Sequence, residues 1–470
     1  MPELLSLKQL KAMKDPLQKP FELDVPGRER LVCEEVFRHL PGKRIAFRSI
    51  WGGAEVLVKL FFRKKDLEIE QAGLDAIHDS GIPCPKKIWG LIDKEGGYFI
   101  ATEFLQDAKT LSNCYQTSTK KKLTPMLHDA VKFIGLLHAN GWMQKDIHLN
   151  NFMLSQDKIY MIDGGGIRNL KNAVENLALF FAQMIPDYDH IATSVVSSYG
   201  ENLPPIDDFS STIRTMREFR IKHFLSKSMR SCTRFKVIKT NDFFVAITRK
   251  FLTKKLSQLV DEPEVAIGQA KFIKRGNSAT VVKVHNNDSD WTIKRYNIKD
   301  FRHRLSRCWR PSRACISWQG AHRLALLGIA TPQPIAIREN RNGRFRKEAY
   351  LVTEFIEGKN LQSWLLSLSK DQVPNWLGKE VLRVFETLWH SKVSHGDMKA
   401  SNFIVSGKIL YMIDLDTLQW HSSEESMNQA FIIDIERFME NWQGNTWIYF
   451  KDILNPFAEK LNITLKNKKV

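Results

Sequence analysis

Long apolar runs, paired cysteines and an amino-terminal leader are all missing from this sequence of 470 residues. No run approaches the roughly 18 apolar residues that indicate a membrane-spanning helix. The opening residues 1–8 lack the basic segment and apolar core of a secretory signal, so we expect a cytoplasmic protein. The 6 cysteines form no Cys-x-x-Cys pair, which suits a reducing compartment and argues against disulfides and structural zinc.

Acidic residues are scarce relative to basic ones. The chain has 52 Asp and Glu against 70 Lys and Arg, which gives a formal charge of +18. This excess favours anionic partners, such as phosphorylated sugars, nucleic acids or anionic membrane surfaces, without choosing among them. An apolar content of 43% supports ordinary buried cores. The length alone predicts about two to four domains.

A complete glycine-rich phosphate-binding motif is also missing from the chain. Gly52 and Gly53 lie between two β-like runs in 45–60, and Gly276 lies at the tip of a predicted hairpin in 271–284. We interpret the Gly52-Gly53 pair as a reduced phosphate-covering turn. Taken alone the signal is weak, because glycines mark ordinary turns as well.

What the chain does contain is one short polar pattern twice. Asp-x4-Asn-Phe followed by Tyr-Met-Ile-Asp occurs at 146–163 and again at 397–414, so each polar residue has a counterpart 251 positions later. A single copy could be an Asp and an Asn that cap turns between strands. Two copies at one fixed offset argue against that explanation.

This pattern is typical of a phosphotransferase site. In such a site the first Asp accepts the proton of the acceptor hydroxyl, while the Asn and the last Asp hold Mg²⁺ on the ATP phosphates. Mg²⁺ prefers hard oxygen donors and commonly takes one or two carboxylates together with substrate phosphates. The candidate bases are therefore Asp146 and Asp397, and the candidate metal ligands are Asn151 with Asp163 and Asn402 with Asp414.

Further residues complete a kinase-like nucleotide site in each half. Lys59 ends a β-like run, and Glu70 lies on a helix predicted at 68–77 that can point it toward Lys59. Lys294 lies on the corresponding strand of the second half. Taken alone, a lysine such as Lys59 is more often a solvated strand residue than a phosphate contact. Backbone groups that are expected to bind adenine at the two hinges belong to Glu103 and Leu105, and to Glu354 and Ile356.

Several other segments carry weaker predictions. A helix-like patch covers 29–40, the glycines at 164–166 predict a flexible turn, and 236–249 alternates like a hairpin. We place the change of domain near 231, which gives a first kinase-like domain over 1–230 and a second over 231–470.

Arginines interleaved with apolar residues form a basic segment at 301–313. The segment is either a docking surface for an anionic substrate or membrane phosphate, or a solvated helix face whose long side chains cover apolar surface. Nothing in the sequence separates these two interpretations.

Together these residues resemble the lipopolysaccharide inner-core (Kdo/heptose) kinases, which are relatives of the protein kinases. The similarity lies in 310–314, in Gly-Ile-Ala-Thr-Pro-Gln-Pro at 328–334 and in His-Gly-Asp at 395–397, and in the first half in 81–85 and 145–152. It implies an α+β fold with two tandem bilobal protein-kinase-like domains. It also implies an ATP-dependent, Mg²⁺-using phosphotransferase with an alcohol group as acceptor, which phosphorylates sugar hydroxyls of the lipopolysaccharide inner core with one or both domains active.

The sequence departs from the usual kinase pattern at three points. Gln144 stands where a His commonly lies two residues before the catalytic Asp, and no Phe follows either metal-binding Asp. The helix position that holds Glu70 in the first half holds Ser317 in the second, so Lys294 has no obvious carboxylate partner. Lys399, two residues after Asp397, is placed to contact the transferred phosphate.

The resemblance implies a lipopolysaccharide core or another lipid-linked sugar as the acceptor. It places the protein in the cytoplasm, with peripheral contact at the anionic inner face of the inner membrane consistent with the charge. No nucleic-acid partner is expected. Two alternatives stay open: a protein or small-molecule kinase of the same fold, and a non-catalytic pseudokinase scaffold that binds anionic glycolipid.

Overall fold

A computed structural model of the chain describes residues 2–13, 17, 19–25, 30–92, 96–200, 208–276, 278–286, 289–297, 311–343, 345–368 and 373–465. The chain divides into two compact units, Met1–Arg217 and Glu218–Val470. Helices and strands are mixed in both units, so the α+β class predicted from the sequence is confirmed. Within the described ranges, no helix is both long and apolar enough to span a membrane.

The first unit opens with a small outer layer. It consists of strands β1 (Glu3–Leu4), β2 (Phe21–Leu23) and β3 (Leu31–Cys33) and helix α1 (Leu7–Ala12). The helix-like patch predicted at 29–40 is wrong, because its described residues form β3 and the following strand β4 (Glu35–Leu40). Leu31 and Cys33 are buried while Val32 between them is exposed, and this alternation has the period of a strand.

A five-stranded antiparallel sheet is the largest sheet among the described residues of the first unit. Its strands lie in the order β4-β5-β6-β8-β7, with β5 (Arg44–Trp51), β6 (Ala54–Phe61), β7 (Lys87–Ile92) and β8 (Tyr98–Glu103). One face packs on the outer layer through residues such as Phe47 and Val58. The other face packs on helix α2 (Lys64–Asp79).

The rest of the first unit is mostly helical. Its elements are α3 (Leu111–Thr117), α4 (Lys120–Ala139), α5 (Ala173–Phe181), α6 (Asp189–Val195) and the start of α7 (Phe209–Ser228), with short strands β9 (Lys109–Thr110), β10 (Trp142–Gln144), β11 (Phe152–Ser155), β12 (Lys158–Met161) and β13 (Ile167–Asn169). Strand β11 pairs antiparallel with β12, with Phe152 opposite Met161. The Ile162 amide donates to the Asn151 carbonyl at 2.9 Å, so the loops that carry Asp146 and Asp163 are joined at this hairpin.

The second unit repeats this sheet and extends it. Strands β16 (Lys271–Arg275), β17 (Ala279–Val284), β18 (Trp291–Tyr296), β20 (Phe345–Glu354) and β19 (Pro334–Asn342) follow the order of the first sheet. Two further strands, β14 (Phe235–Lys239) and β15 (Phe243–Thr248), continue it beyond β19, so the hairpin predicted at 236–249 is confirmed. Helices α8 (Lys254–Asp261) and α9 (Pro263–Gly268) cover one face of the sheet.

The helical part of the second unit follows the same plan. Its helices are α10 (Arg313–Leu326), α11 (Leu361–Leu366), α12 (Asn375–His390), α13 (Glu424–Met439) and α14 (Gly444–Lys460), and its short strands are β21 (Lys359–Asn360), β22 (Val393–Ser394), β23 (Phe403–Ser406), β24 (Ile409–Met412) and β25 (Gln419–Trp420). The division between the units falls inside α7. Arg217 pairs with Asp189 in the first unit, and Glu218 pairs with Arg323 in the second.

Candidate active site

The loop that contains Asp397 is fixed in the second unit by a buried carboxylate. Asp434 on α13 is fully buried and accepts the backbone N–H of His395 at 2.6 Å and that of Gly396 at 2.8 Å. Burial raises the pKa of this carboxyl above its usual value. The His395 ring is 3.0 Å from the Ile413 carbonyl oxygen, so the loop is tied both to a helix and to the end of β24.

Asp397 lies in a cluster of hydrogen-bond donors. Its Oδ2 accepts Lys399 Nζ at 2.8 Å and Asn402 Nδ2 at 3.3 Å, and its Oδ1 lies 3.4 Å from Arg437 Nε. Burial acts to raise the pKa of the Asp397 carboxyl, but Lys399 and Arg437 outweigh it and hold that pKa below its usual value. The result is an ionised, oriented carboxylate that can accept a hydroxyl proton.

Lys294 on β18 reaches the loop after β24. Its Nζ contacts Asp414 Oδ1 directly. Asp414 has left-handed backbone angles, φ 62° and ψ 53°, which are uncommon for a residue other than glycine and typical of functional sites. Burial acts to raise the pKa of Asp414, but the Lys294 ammonium outweighs it and holds the pKa below its usual value.

In the first unit the lysine is paired with a helix residue. Lys59 Nζ lies 2.5 Å from Glu70 Oε1 on α2 and 3.9 Å from Asp163 Oδ1. The Glu70 side chain is completely buried, and the contact is the one that the helical spacing predicted. Asp163 has extended backbone angles with φ −127°, and its Oδ1 accepts the Gly165 N–H at 3.3 Å.

The glycines that follow Asp163 form a tightly packed 3₁₀ turn, so the expectation of a flexible turn is wrong. A Cβ at Gly164 would lie 2.4 Å from the Glu70 carbonyl oxygen, and one at Gly73 on α2 would lie 2.0 Å from the Gly164 oxygen. A Cβ at Gly166 would lie 2.1 Å from Gln144 Oε1. Glycine is required here because helix and loop backbones touch.

Gln144 replaces a histidine without loss of the structural link. It is fully buried, and its Nε2 donates to the Asp163 carbonyl oxygen at 2.8 Å. The ring of His395 bonds to Ile413 in a similar way in the second unit. The departure from the kinase pattern at this position therefore leaves the connection between the two loops in place.

Asp146 differs sharply from Asp397. Its side chain is exposed, and within the described ranges it makes no hydrogen bond or ion pair. Asn151 is buried beside the β11–β12 hairpin. The first unit thus brings Lys59, Glu70 and Asp163 together but leaves its predicted base without the donors that surround Asp397.

The predicted phosphate-covering turn at Gly52 and Gly53 is wrong for the first unit. These glycines join β5 to β6, at the opposite end of β5 from Arg44. The Arg44 guanidinium lies 4.0 Å from the Cβ position at Gly165, so the end of β5 that begins at Arg44 faces the site. The counterpart of the Gly276 turn is the connection from β4 to β5 at 41–43.

The two hinges offer fewer backbone groups than the sequence suggests. The Glu103 amide donates to the Lys86 carbonyl at 2.9 Å, and the Glu354 amide donates to the Gln333 carbonyl at 3.0 Å. At these two positions only the carbonyl is left for adenine, and the Glu354 carbonyl also accepts the Thr353 hydroxyl at 3.2 Å. The amides of Leu105 and Ile356 have no protein acceptor within the described ranges.

The repeated motif does not include Asp434, which holds the loop that contains Asp397. Asp434 aligns with Gln183 at the repeat offset of 251. The Gln183 side chain fixes the first loop, since Oε1 accepts the Leu149 N–H at 2.9 Å and Nε2 donates to the Ile147 oxygen at 3.2 Å. A comparison of the two copies beyond position 163 would have found this pair of positions, but not the different bonds they make.

A magnesium ion fits the donor set of the second unit. The described ranges contain no group of three or more His, Cys, Asp and Glu side chains placed to hold a metal. Asn402 and Asp414 supply two oxygen donors, which suits an ion that completes its shell with phosphate oxygens and water.

Most of the basic segment predicted at 301–313 lies outside the described residues, namely 301–310. Its last residue, Arg313, is the first residue of α10.

Comparisons with known proteins show similarity to one kinase family over two segments of the chain. Residues 58–165 and 257–453 match the model of the lipopolysaccharide kinase (Kdo/WaaP) family, and these ranges contain every candidate base, lysine and metal ligand. No curated protein matches the chain. A solved structure, WaaP in complex with acyl carrier protein, matches 45% of this chain and 91% of its own at 18% identity, with a TM-score of 0.32.

Proposed function

Because the chain belongs to the lipopolysaccharide kinase (Kdo/WaaP) family, we propose that its second unit transfers the γ-phosphoryl group of ATP to a hydroxyl of a lipopolysaccharide inner-core sugar. Membership confirms the family and the kinase-like fold expected from the sequence. It makes the protein a kinase, a phosphotransferase that acts on hydroxyl groups. The acceptor sugar, the division of labour between the units and the residue roles are proposals.

One observation supports the second unit most directly. The Asp397 carboxylate lies within hydrogen-bond distance of Lys399 and Asn402, on a loop that Asp434 holds through two backbone N–H groups. A base that is fixed and ionised before substrate arrives requires little reorganisation during the reaction. In the first unit, Asp146 has no such surroundings among the described residues.

Each residue of the second unit has a proposed role in the reaction. Asp397 accepts the proton of the sugar hydroxyl while the hydroxyl oxygen forms a bond to the γ-phosphorus of ATP. At the same time the bond between the γ-phosphorus and the oxygen of the β-phosphate breaks, and ADP leaves. Lys399 contacts the transferred phosphoryl group, and Lys294 contacts the α- and β-phosphates. Backbone groups of Glu354 and Ile356 hold adenine.

Asn402 and Asp414 would hold Mg²⁺. When bound, that ion supplies charge neutralisation on the phosphates. Since Lys294 already contacts Asp414, the lysine and this metal ligand are held together before nucleotide enters.

For the first unit we propose nucleotide binding. Its predicted site consists of Lys59, Glu70, Glu103, Leu105, Asn151 and Asp163. The second candidate function of the first unit is phosphate transfer with Asp146 as the base, since the Asp, Asn and Asp pattern is complete in that unit. We propose 1–230 and 231–470 as the functional domains, because this division leaves α7 whole.

The proposed acceptor is lipid-linked, at the inner face of the inner membrane. The formal charge of +18 supports this proposal, because a phosphorylated glycolipid and an anionic membrane surface both attract a basic protein. Contact with the membrane would be peripheral.

The test is phosphate transfer to matched acceptors. Purified protein and Mg·ATP are incubated with core lipopolysaccharide, with the delipidated inner-core oligosaccharide, or with a mixed protein acceptor, and products are analysed by mass spectrometry. We expect a phosphate-sized mass gain on the lipopolysaccharide. A gain on protein alone would favour a protein kinase, and salt-dependent glycolipid binding without ATP binding would favour a scaffold.

A further inference from the structure

The second unit lacks a helix carboxylate for its lysine, but a different carboxylate lies beside it. Asp416 Oδ2 is 3.8 Å from Lys294 Nζ, and the Asp416 side chain is only 5% exposed. Arg313, at the start of α10, contacts the same oxygen. Asp416 is therefore a buried carboxylate between two cations that come from a strand and from a helix.

The carboxylate beside the lysine comes from the helix in the first unit and from the loop in the second. Asp416 aligns with Gly165 at the repeat offset, and Ser317 on α10 aligns with Glu70 on α2. A Cβ at Gly165 would lie 2.8 Å from Glu70 Oε2, so a side chain at 165 would require the Glu70 carboxylate to shift from its present position. Each unit carries one large acidic residue and one small residue at these two positions.

The space that Glu70 fills in the first unit is occupied differently in the second. Tyr296 takes the place of Phe61, two residues after the lysine, and its hydroxyl lies 2.8 Å from Ser317 Oγ. The Tyr296 ring also contacts both cations, with Lys294 Nζ 4.9 Å and the Arg313 guanidinium 5.2 Å from its centre. Tyrosine, serine and aspartate thus form one consistent set.

We propose that Asp416 is the positioning residue for Lys294, and that it replaces, from the loop, the helix glutamate that pairs with Lys59 in the first unit. Asp416 holds the ammonium where it meets the nucleotide phosphates, and Arg313 links this arrangement to α10. The reaction of the second unit therefore requires an aspartate at position 416, which lies outside the motif Asp-x4-Asn. This inference rests on the function proposed for the second unit.

The main alternative is that Asp416 is a ligand of a second metal ion. A carboxylate two residues after Asp414 is close enough in sequence for that role. A metal ligand cannot be replaced by a carboxylate on α10, whereas a lysine partner can. Rescue from the helix therefore separates the two roles.

The experiment rebuilds the arrangement of the first unit in the second. Three variants of the full chain are compared: Asp416→Gly, Tyr296→Phe with Ser317→Glu, and all three substitutions together. The matched control is Glu264→Gln. It removes the negative charge beside Arg295, the neighbour of Lys294 on β18; Arg295 Nε lies 2.6 Å from the Glu264 carboxylate. Readouts are kcat and KM for ATP, the half-saturating Mg²⁺ concentration, binding of a fluorescent ATP analogue and the thermal midpoint.

We expect Asp416→Gly to lower kcat/KM about a hundredfold, because the lysine keeps only its contact with Asp414, the residue that we propose as a metal ligand. The triple variant should regain at least about a tenfold rate over Asp416→Gly, with an unchanged Mg²⁺ requirement. Glu264→Gln should match the wild type. A triple variant that keeps the wild-type thermal midpoint but is no more active than Asp416→Gly would overturn the proposal.

Asp416→Asn covers the case in which the glycine variants fail to fold. It keeps the side-chain shape, and we expect it to weaken activity without a change in the Mg²⁺ requirement. A raised half-saturating Mg²⁺ concentration would instead make Asp416 a metal ligand and reject the inference. If the wild type phosphorylates no lipopolysaccharide, the function fails separately, because analogue binding needs no acceptor and still compares the variants.

Discussion

Gly73 on α2 and Gly164, the residue after Asp163, touch backbone to backbone: a Cβ at Gly73 would lie 2.0 Å from the Gly164 carbonyl oxygen. This contact brings the helix that carries Glu70 against the loop that carries Asp163. The counterpart contact in the second unit is looser, since a Cβ at Gly320 would lie 3.5 Å from Leu415 Cβ. The same helix–loop contact therefore tolerates different substitutions in the two units.

The first prediction compares alanine at these two glycines. Gly73→Ala forces a backbone carbonyl away and should destabilise the first unit by about 1–3 kcal/mol or more. Gly320→Ala meets only ordinary van der Waals contacts and should be neutral or stabilising by about 0.5–1 kcal/mol, because alanine favours the helix. Calorimetry with hydrogen exchange on α2 and α10 measures both. Equal losses in the two variants would contradict the packing described here.

The second prediction concerns the acid limb of activity. The folded-state pKa of Asp397 is lowered by Lys399, so the carboxylate stays ionised as the pH falls and protonates only below its usual pKa. Activity that needs this base is present above the lowered pKa and lost as pH falls through it. In Lys399→Met the pKa of Asp397 should rise, and the acid limb of kcat/KM should move to higher pH.

A matched lysine provides the control for this shift. Lys408→Met changes an exposed lysine at the turn between β23 and β24. The pH profile of Lys408→Met should overlay that of the wild type. Lys399→Met should differ from both in its acid limb, in addition to having a lower rate. An unshifted acid limb in Lys399→Met would show that Asp397 is not the titrating base.

The third prediction concerns stability below neutral pH. His322 on α10 is buried against the rings of Trp318, Phe235 and Phe224, at centroid distances of 4.6, 5.2 and 5.5 Å. Burial, helped by the nearby Arg234 charge, lowers the pKa of His322 from 6.5 to about 3. Between pH 6.5 and 3 the His322 side chain is protonated in the unfolded chain but not in the folded chain. The free energy of unfolding therefore falls as the pH drops from 6.5 toward 3.

The slope should be about 1.4 kcal/mol for each pH unit in this range. His322→Leu keeps an apolar side chain of similar size and removes the titrating group, so this part of the pH dependence should disappear. Urea unfolding of both proteins at several pH values measures it. A variant as acid-sensitive as the wild type would show that other groups carry the effect.

The sequence predicted the repeated loops well because their constraints are local. In each unit the strand pair that follows the Asn, β11–β12 or β23–β24, connects the loop of the first Asp to that of the last Asp, as the fixed spacing predicted. The Lys59–Glu70 pair was also predictable, since helical spacing decides which face Glu70 lies on.

Other features depend on contacts between distant segments. The flexible turn expected at 164–166 is packed because α2 lies against it, and the patch at 29–40 is extended because it pairs with neighbouring strands. Gly52 and Gly53 are separated from the site by the direction of β5, which no local pattern reveals. Asp416 was overlooked because its counterpart, Gly165, carries no charge.

Phosphotransfer by the second unit is tested most directly by measuring, with Mg·ATP and mass spectrometry, phosphate transfer to core lipopolysaccharide by Asp397→Asn and Asp146→Asn. Both variants replace a carboxylate with an amide of the same shape, so each serves as the control for the other. We expect Asp397→Asn to abolish the phosphate-sized mass gain and Asp146→Asn to retain it. Loss of the gain in Asp146→Asn, with Asp397→Asn still active, would contradict the assignment of phosphotransfer to the second unit.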